Sequence, residues 1–229
     1  MRKTVMQGSA SSSSTSKFNP DFLFKANFMA SPHPFTFHNF RAYWLSRLTS
    51  TVALSALAII IGWQVYGIAR ETMSIKEATF MLGLIGVALF VPLLLLTPIT
   101  GLVADSFDRR WIVRATTLLV ICVTSALGIL TSLDMLSLPA LYGAAVLIGI
   151  ARAFAGPAYS ALAPNLVPRE SLPTAIAVSS IAWQVGAIAG PSLGGLLFAI
   201  HPDVAYGGST GLLVVALFSM FLIGKVPQP

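Results

Sequence analysis

The sequence predicts an all-α membrane protein that crosses the bilayer six times. Of its 229 residues, 55% are apolar and 10% are charged, and the mean hydropathy is +0.81. The chain contains six apolar runs, each long enough to cross a bilayer core of roughly 30 Å. These runs lack the alternation of barrel strands, and a helix satisfies its backbone hydrogen bonds within one segment. A stacked soluble core is the weaker alternative.

Residues 1–40 are predicted to form a disordered or interfacial cytoplasmic tail ahead of a six-helix domain at residues 41–229. The tail begins MRKTV, but no apolar segment follows that would make it a secretory signal peptide. Its Ser-rich stretch at residues 9–16 predicts disorder, because this composition buries too little apolar surface. The phenylalanines between Phe18 and Phe40 predict contact with the inner membrane interface.

The six apolar runs define the predicted transmembrane helices. Their predicted bounds are Thr49–Ala69, Thr79–Leu102, Trp111–Ser132, Leu138–Tyr159, Ala175–Ile200 and Thr210–Gly224. The single cysteine, Cys122, falls inside the third span and has no intrachain partner for a disulfide. We expect it to serve packing.

The positions of the basic residues predict the orientation. With the N-terminus in the cytoplasm, eleven Lys and Arg residues lie inside, against Arg70 and Lys76 outside, and Arg152 falls within a span. An even number of spans returns the C-terminus to the cytoplasm. Orientation therefore explains the net charge of +6 without a nucleic-acid partner. We expect an integral protein of the bacterial plasma (inner) membrane.

The sequence argues against an enzyme. It has no G-x-S-x-G, no H-E-x-x-H and no pair of carboxylates inside the predicted spans, so no nucleophile, base or metal site is evident. His33 and His38 lie before the first span and His201 lies on the far side, which argues against a metal cluster. No cofactor is expected, and no ring of charge or carbonyl-rich filter suggests a channel.

Residues 101–111, GLVADSFDRRW, concentrate charge between two apolar spans. Asp105 falls at the C-terminal end of the second span, where the helix dipole disfavours a carboxylate. It therefore needs a cation nearby, such as Arg109 or Arg110, or the N-terminus of another helix. The alternative is a short solvated loop with a surface ion pair worth about 0 to 1 kcal/mol.

The pattern G-x-x-x-D-x-x-x-R-R, formed by Gly101, Asp105, Arg109 and Arg110, resembles the loop between helices two and three of the major facilitator superfamily. The resemblance implies that these four residues form a gate at the cytoplasmic loop. There the aspartate meets a helix of the second half-transporter in the outward-open state. The family usually has glycine where Asp108 stands, which is the one departure.

The fourth span contains a charged residue, Arg152, about three residues past its middle. An arginine at a helix centre costs about 2.5 to 3.5 kcal/mol on insertion scales, so compensation is required. The side chain either snorkels toward the cytoplasmic end or faces a cavity, where it binds substrate or steers protons. The spacing of Arg152 and Gly156 is similar to the fourth-helix motif of the same superfamily, which implies the second role.

The fifth span contains GAIAGPSLGG, in which Gly186, Gly190 and Gly194 follow one another at steps of four residues. They share one helix face, and small residues at this spacing let two helices pack closely. Pro191 removes a backbone hydrogen bond and predicts a bend. With Gly195, the pattern resembles the motif of the antiporter branches of the superfamily, which implies a helix-packing hinge; a generic packing seam is the alternative.

Three polar or aromatic residues of the spans are candidates to line a substrate cavity: Gln64, Trp183 and Gln184. Polar groups avoid lipid, and Gln184 precedes the glycine face of the fifth span. Interhelical hydrogen bonding is the alternative for each of them.

The motifs occur in the order and on the helices that the superfamily requires, and the resemblance covers about residues 38–225. The stretches HNFRAYWLSRL and ARAFAGPAYSALAPNLVPRESLPTAIA look most like the drug and siderophore exporter branch, which includes enterobactin exporters. The resemblance implies one half of a major facilitator fold, built from two inverted three-helix repeats. Family members have twelve spans, so the chain is expected to be an N-terminal half.

The resemblance implies a secondary active transporter that exports an amphiphilic small molecule, such as a drug or siderophore, with proton coupling. Its expected partners are the lipid bilayer, the small-molecule substrate and either a second six-helix half or another copy of the chain. The alternative is a nonfunctional fragment, or a membrane subunit without transport activity of its own.

Overall fold

The computed structural model describes residues 32–224, except for the side chains of residues 104 and 105. Its long helices are α1 (His38–Thr72), α2 (Ile75–Ser106), α3 (Arg109–Ser132), α4 (Leu138–Leu162), α5 (Leu172–Ile200) and α6 (Pro202–Phe221). All six are long and apolar enough to cross a membrane, which confirms the predicted fold class. The disorder and interfacial contact predicted for residues 1–31 lie outside the described residues.

α1 begins at His38, eleven residues before the predicted span at Thr49. The first turns carry Asn39 and Arg41, which lower the mean hydropathy there. The apolar run that predicts the span therefore begins later than the helix. Phe40, between these two polar residues, is fully buried. The helix therefore starts early because one of its faces packs against the bundle before the chain becomes uniformly apolar.

α6 begins at Pro202 rather than at the predicted Thr210. Pro202 occupies the first helical turn, where the missing N–H costs nothing, and the His201 side chain accepts a hydrogen bond from the Asp203 N–H at 3.4 Å. Tyr206 is 1% exposed. Glycines and polar residues lower the hydropathy of these first turns, although the turns pack inside the bundle.

Residues 32–40, which the sequence assigns to the tail, belong to the same compact unit as the helices. Ser171 donates its hydroxyl to the Pro32 carbonyl at 2.8 Å. The ring of Phe35 meets that of Trp44 edge-on, with 5.3 Å between their centroids. Packing therefore extends several residues ahead of the predicted domain boundary.

The helix contacts follow the predicted repeats of helices α1–α3 and α4–α6. α1 packs mainly against α5 and α6, and α4 packs mainly against α2 and α3. Exchanging α1 with α4, α2 with α5 and α3 with α6 converts the first set of contacts into the second. Because successive spans alternate in direction, α1 and α4 run oppositely, as inverted repeats require. Each repeat thus completes its packing on the other.

α2 and α5 are the least buried helices. In their most apolar stretches, 6% and 22% of the residues are buried, against 39% to 44% in the other four helices. α2 starts with a capping box in which the Ser74 N–H donates to the Glu77 carboxylate at 2.9 Å. Its start is thus well defined, whereas much of its length presents apolar side chains outward.

Candidate functional site

Two arginines at the start of α3 bind carbonyl groups of other segments, one in the last turn of α4 and one beyond α6. Arg109 donates from Nη1 to the carbonyl of Ala161, in the last turn of α4, at 3.0 Å. Arg110 donates from Nη1 to the carbonyl of Gly224, beyond α6, at 2.6 Å. The Ala161 carbonyl lies where a helix has unsatisfied acceptors and a negative dipole end, so a guanidinium stabilises it.

Asp108, the residue that departs from the family pattern, is the N-cap of α3. Its carboxylate accepts the backbone N–H of Arg110 at 2.9 Å and forms a 2.6 Å ion pair with the same residue's guanidinium. Aspartate is among the preferred N-cap residues. This role was not predicted from the sequence, although an aspartate directly before a helical run is the usual signal for it.

Arg114, one turn into α3, completes this set. Its Nη2 donates to the carbonyl of Met220 at 3.0 Å, and its guanidinium carbon lies 5.2 Å and 4.5 Å from the ring centroids of Trp111 and Phe221. We call Arg109, Arg110 and Arg114 the arginine clasp. It joins α3 to the ends of α4 and α6.

The other two residues of the predicted gate lie near the end of α2. Gly101 is exposed, and a Cβ atom at this position would meet nothing within 4 Å. Asp105 belongs to the last turns of α2, and its side chain is outside the described part of the chain. The gating role of these residues remains a prediction.

A cavity of about 340 Å³ opens between α1, α2, α4 and α5. Its walls carry two arginines, three small hydroxyl residues, two aromatic rings and small apolar groups. The lining residues are Arg47, Ser50, Thr51, Leu54, Ser55, Leu93, Arg152, Ala155, Gly156, Tyr159, Trp183 and Ala187. α3 and α6 contribute none of these residues, and we call this space the arginine cavity.

Arg152 reaches across the arginine cavity to α1. Its Nη2 donates to the carbonyl of Leu54 at 2.7 Å, and its neighbour one turn along, Gly156, also lines the cavity. Leu54 lies near the middle of α1, so the guanidinium stays at the depth of the bundle centre. This geometry matches the cavity-facing alternative rather than snorkelling along α4.

Arg47 of α1 lines the same cavity. Its guanidinium carbon lies 5.4 Å from the ring centroid of Tyr159, and its Nε is buried without a hydrogen-bond partner. From the sequence, Arg47 is one of the eleven basic residues assigned to the cytoplasmic side, because it precedes the predicted span at Thr49. The early start of α1 places it inside the bundle instead.

A hydroxyl network fixes Tyr159 beside these arginines. The Tyr159 hydroxyl lies 2.9 Å from the hydroxyl of Ser46 and 3.1 Å from that of Ser50. The Tyr43 hydroxyl donates to the Tyr159 carbonyl at 3.1 Å and lies 2.8 Å from the hydroxyl of Ser179. The network joins α1 to α4 and α5, so the cavity wall is held by several hydrogen bonds.

The predicted glycine face of α5 lies directly against α1. A Cβ on Gly186 would come within 2.7 Å of the Thr51 Cβ, and a Cβ on Gly190 within 2.6 Å of both Ser55 Cβ and the Val52 carbonyl oxygen. Gly194 is equally close, with 2.8 Å to the Cα and carbonyl oxygen of Ala56. Only glycine permits this approach, and it positions cavity residues of α1.

The remaining two residues of the predicted hinge differ from the glycine face. A Cβ on Gly195 would meet nothing within 4 Å, so this residue is outside the seam. Pro191 lies within an α5 that is continuous from Leu172 to Ile200. A hinge role for this stretch remains a prediction.

A second close seam, between α4 and α2, was missed from the sequence. A Cβ on Gly149 would lie 2.5 Å from the Leu89 carbonyl oxygen and 3.3 Å from the Pro92 ring. Ala145 and Ala153, four residues to either side of Gly149, are buried as well. This small-x-x-x-small spacing is the signal that could have revealed the seam.

The three candidate cavity residues have three different positions. Trp183 lines the arginine cavity. Gln184 is exposed on α5 and is absent from the described lining. Gln64 is buried on another face of α1, where its Nε2 donates to the Thr131 hydroxyl at 3.2 Å and its Oε1 accepts from the Tyr206 hydroxyl. Gln64 therefore makes interhelical hydrogen bonds, the alternative left open above, because α1 turns this face toward α3 and α6.

The sequence matches a known family over most of its length. The profile of the family described as "Transmembrane secretion effector" matches residues 29–226.

Curated relatives carry the name "Enterobactin exporter EntS". The protein from Shigella dysenteriae serotype 1 (strain Sd197) is 30% identical over 200 residues, covering 83% of this chain and 45% of the relative. Its counterpart from Salmonella choleraesuis (strain SC-B67) is 28% identical over 197 residues, covering 83% and 44%. That from Escherichia coli O1:K1 / APEC is 29% identical over 200 residues, covering 83% and 45%. The chain thus spans less than half the length of these relatives.

Proposed function

The chain belongs to the transmembrane secretion effector family of the major facilitator superfamily, and on this premise we propose that it is the N-terminal half of a secondary active exporter. Its cargo is an amphiphilic small molecule, such as a drug or a siderophore. The relatives named enterobactin exporters support the siderophore class. Export proceeds by alternating access and is driven by the proton gradient.

The arginine cavity is the observation that carries this proposal. It opens between α1, α2, α4 and α5, and it presents cations, hydroxyls and aromatic rings at the depth of the bilayer. Charged residues inside a membrane are costly and mark substrate or ion pathways. A cavity of this composition suits a small molecule with both polar and apolar parts.

A second six-helix half completes the cavity. Two observations support this part of the proposal. The chain covers less than half the length of its relatives, and α2 and α5, which both line the cavity, are the least buried helices. Their outward apolar faces fit a partner helix as well as lipid.

Charged residues of the cytoplasmic loop are part of the proposed gating and proton coupling. We propose that Asp105, Arg109 and Arg110 act as the gate at the cytoplasmic loop, with Gly101 allowing close approach. Asp105 or a carboxylate of the second half carries the proton, because the described spans place no acidic side chain in the arginine cavity. Asp105→Asn is expected to stop proton-driven transport while the chain still inserts.

The protein resides in the inner membrane with both termini in the cytoplasm. The orientation is tested in intact cells with a Cys122→Ser chain that carries one new cysteine, at Ser106 or at Asp134. A membrane-impermeant maleimide should label the Asp134→Cys chain from outside and leave the Ser106→Cys chain unlabelled until the cells are opened. The reverse pattern contradicts the orientation.

Transport is tested in everted membrane vesicles with enterobactin as the probe. The chain is expressed alone, as a tandem fusion of two copies, or with a second six-helix half. Energised vesicles should accumulate the probe in at least one of the three conditions, and an uncoupler should abolish the accumulation. Failure in all three favours the alternative, a membrane subunit without transport activity or a nonfunctional fragment.

A further inference from the structure

We propose that the arginine cavity binds an anionic group and that the transported molecule is an amphiphilic organic anion. This inference rests on the proposed function and deepens it by naming the class of substrate. The anionic group is a carboxylate, phosphate or sulfonate, and it contacts Arg47 and Arg152. The apolar body of the ligand extends along α1 toward a second cavity.

The charge balance of the arginine cavity calls for an anion. Arg47 and Arg152 line the same space, and none of the described lining residues is acidic. Each unpaired cation removed from water costs several kcal/mol. An anion bound between the two arginines offsets this cost for both, so the site favours a negatively charged ligand over a neutral one of the same shape.

The hydrogen-bonding capacity of Arg47 is also incompletely used. A guanidinium carries five N–H donors in a planar fork that matches carboxylate and phosphate oxygens. The Nε of Arg47 is buried and has no partner. Arg152 is anchored from Nη2 to the Leu54 carbonyl at 2.7 Å, which holds its guanidinium at the cavity. Arg47 therefore keeps an N–H donor that the described part of the chain does not use, and the Leu54 carbonyl holds the Arg152 guanidinium in place.

A second cavity, of about 350 Å³, lies farther along the same helix. It is lined by Ala58, Ile59, Gly62, Trp63, Tyr66 and Leu82. Gly62 follows Thr51 by about three helical turns, or roughly 16 Å. The two cavities thus place cations at one position along α1 and aromatic and aliphatic groups at another. A molecule with an anionic end and an apolar body matches this sequence of environments.

The arginine clasp shows why not every arginine of the chain offers such a site. Arg110 forms an ion pair with Asp108 at 2.6 Å. Arg114 also has a buried Nε without a partner, but its guanidinium packs between the rings of Trp111 and Phe221. The clasp residues are absent from the described linings of both cavities.

The proposal is tested by calorimetric binding to the full chain in phosphatidylcholine nanodiscs, with empty nanodiscs as the blank. The probes are 4-(1-naphthyl)butyrate and its amide, which share one shape and differ in charge. The butyrate should bind at least 10-fold more tightly than the amide. Arg47→Gln and Arg152→Gln should each weaken butyrate binding roughly 10- to 100-fold, the range expected for a charge-assisted hydrogen bond. Amide binding should stay unchanged.

Matched variants separate loss of charge from loss of fold. Arg47→Lys and Arg152→Lys keep the charge and should retain most of the butyrate affinity. Arg41→Gln removes an exposed arginine of α1 and should have no effect. Equal affinity for the two probes, or unchanged butyrate affinity in both Gln variants that still elute as the native protein, overturns the proposal.

Two further arms identify the source of the anion and separate this inference from the proposed function. In nanodiscs that contain phosphatidylglycerol, a lipid headgroup in the site would weaken butyrate binding to the native chain, and unchanged binding would assign the site to a free ligand. Weakened and unchanged binding both count for the proposal only if the native chain prefers the butyrate to the amide. Arginine-dependent binding without enterobactin transport supports the anion site and contradicts the exporter. Transport unaffected by both Gln variants supports the exporter and contradicts the anion site.

Discussion

The helices are held together by different interactions in the middle of the bundle and at the end that carries the arginine clasp. In the middle, α1 meets α5 at Gly186, Gly190 and Gly194, so that backbone touches backbone. At the end that carries the arginine clasp, the clasp binds carbonyl groups in the last turns of α4 and α6 and the carbonyl of Gly224, just beyond α6. Close packing stabilises the first region, whereas charge-assisted hydrogen bonds stabilise the second.

The difference follows from the backbone groups that are available for bonding at helix ends and in the middle of a span. Helix ends expose unsatisfied carbonyls, so cations stabilise them there. In the middle of a span most carbonyls already accept a hydrogen bond within the helix, and lipid competes equally well for apolar side chains. Close packing of small residues is therefore the main attraction there. Arg47 and Arg152 line a cavity and belong neither to the glycine seam nor to the arginine clasp.

Gly190→Leu should have the largest effect. A side chain at Gly190 would collide with the Val52 carbonyl oxygen, which is part of a helix backbone and cannot move aside. We expect a loss of about 3 kcal/mol or more in the free energy of unfolding, at the upper end of overpacking effects. Thermal unfolding in detergent measures it.

The matched control is Gly195→Leu, five positions along the same helix, where a Cβ meets nothing within 4 Å. This chain should unfold near the native temperature. Similar losses in the two variants would mean that helix propensity or lipid contact, rather than the seam, decides the stability of α5.

Arg110→Gln tests the arginine clasp and should have the next largest effect on the free energy of unfolding. The change removes the ion pair with Asp108 and the bond to the Gly224 carbonyl. Hydrogen bonds to charged groups contribute about 1.5 to 3 kcal/mol, and we expect a destabilisation in that range. Denaturant unfolding measures it, with Arg41→Gln as a control on an exposed arginine. A chain as stable as the native one would contradict the role of the clasp.

Tyr206→Phe probes the opposite end, where Tyr206 donates to Gln64 between α6 and α1. Removing the hydroxyl leaves a buried amide oxygen without this donor, which should cost about 1 kcal/mol. Tyr66→Phe, in the apolar cavity, is the matched control and should change stability by less. Equal losses would show that the hydroxyl of Tyr206 does not hold the helices together.

Arg152→Gln should have the smallest effect on stability and a large one on transport. Replacing a partly buried cation by a neutral amide removes a desolvation cost together with one hydrogen bond, so the free energy of unfolding should change by less than about 1 kcal/mol. Thermal unfolding and vesicle transport are measured on the same preparation. A strong destabilisation would assign Arg152 to helix packing, like the clasp.

Several features could be predicted from single stretches of sequence. The six apolar runs predict six spanning helices because only helices satisfy the backbone in lipid. The steps of four between Gly186, Gly190 and Gly194 predict a close seam, and it lies where α5 meets α1. Arg152 is predicted to need compensation, and it points into a cavity.

Other features depend on contacts with other helices, which a local sequence pattern does not predict. Gln64 and Trp183 are both reasonable cavity residues from their chemistry, but one packs between α1, α3 and α6 and the other lines the cavity. Arg47 looks interfacial until the early start of α1 places it inside the bundle. Asp108 departs from a family pattern, yet it caps a helix.

The sequence alone determined that the chain is a six-helix membrane protein, because apolar length and backbone satisfaction are properties of single segments. The tertiary structure decided which arginines hold helices and which face the cavity. That distinction depends on the rotation and depth of each helix relative to the others, which are set by many contacts distant in sequence. Hydropathy and motif spacing record which residues lie on one helix face, and only the packed bundle shows what that face meets.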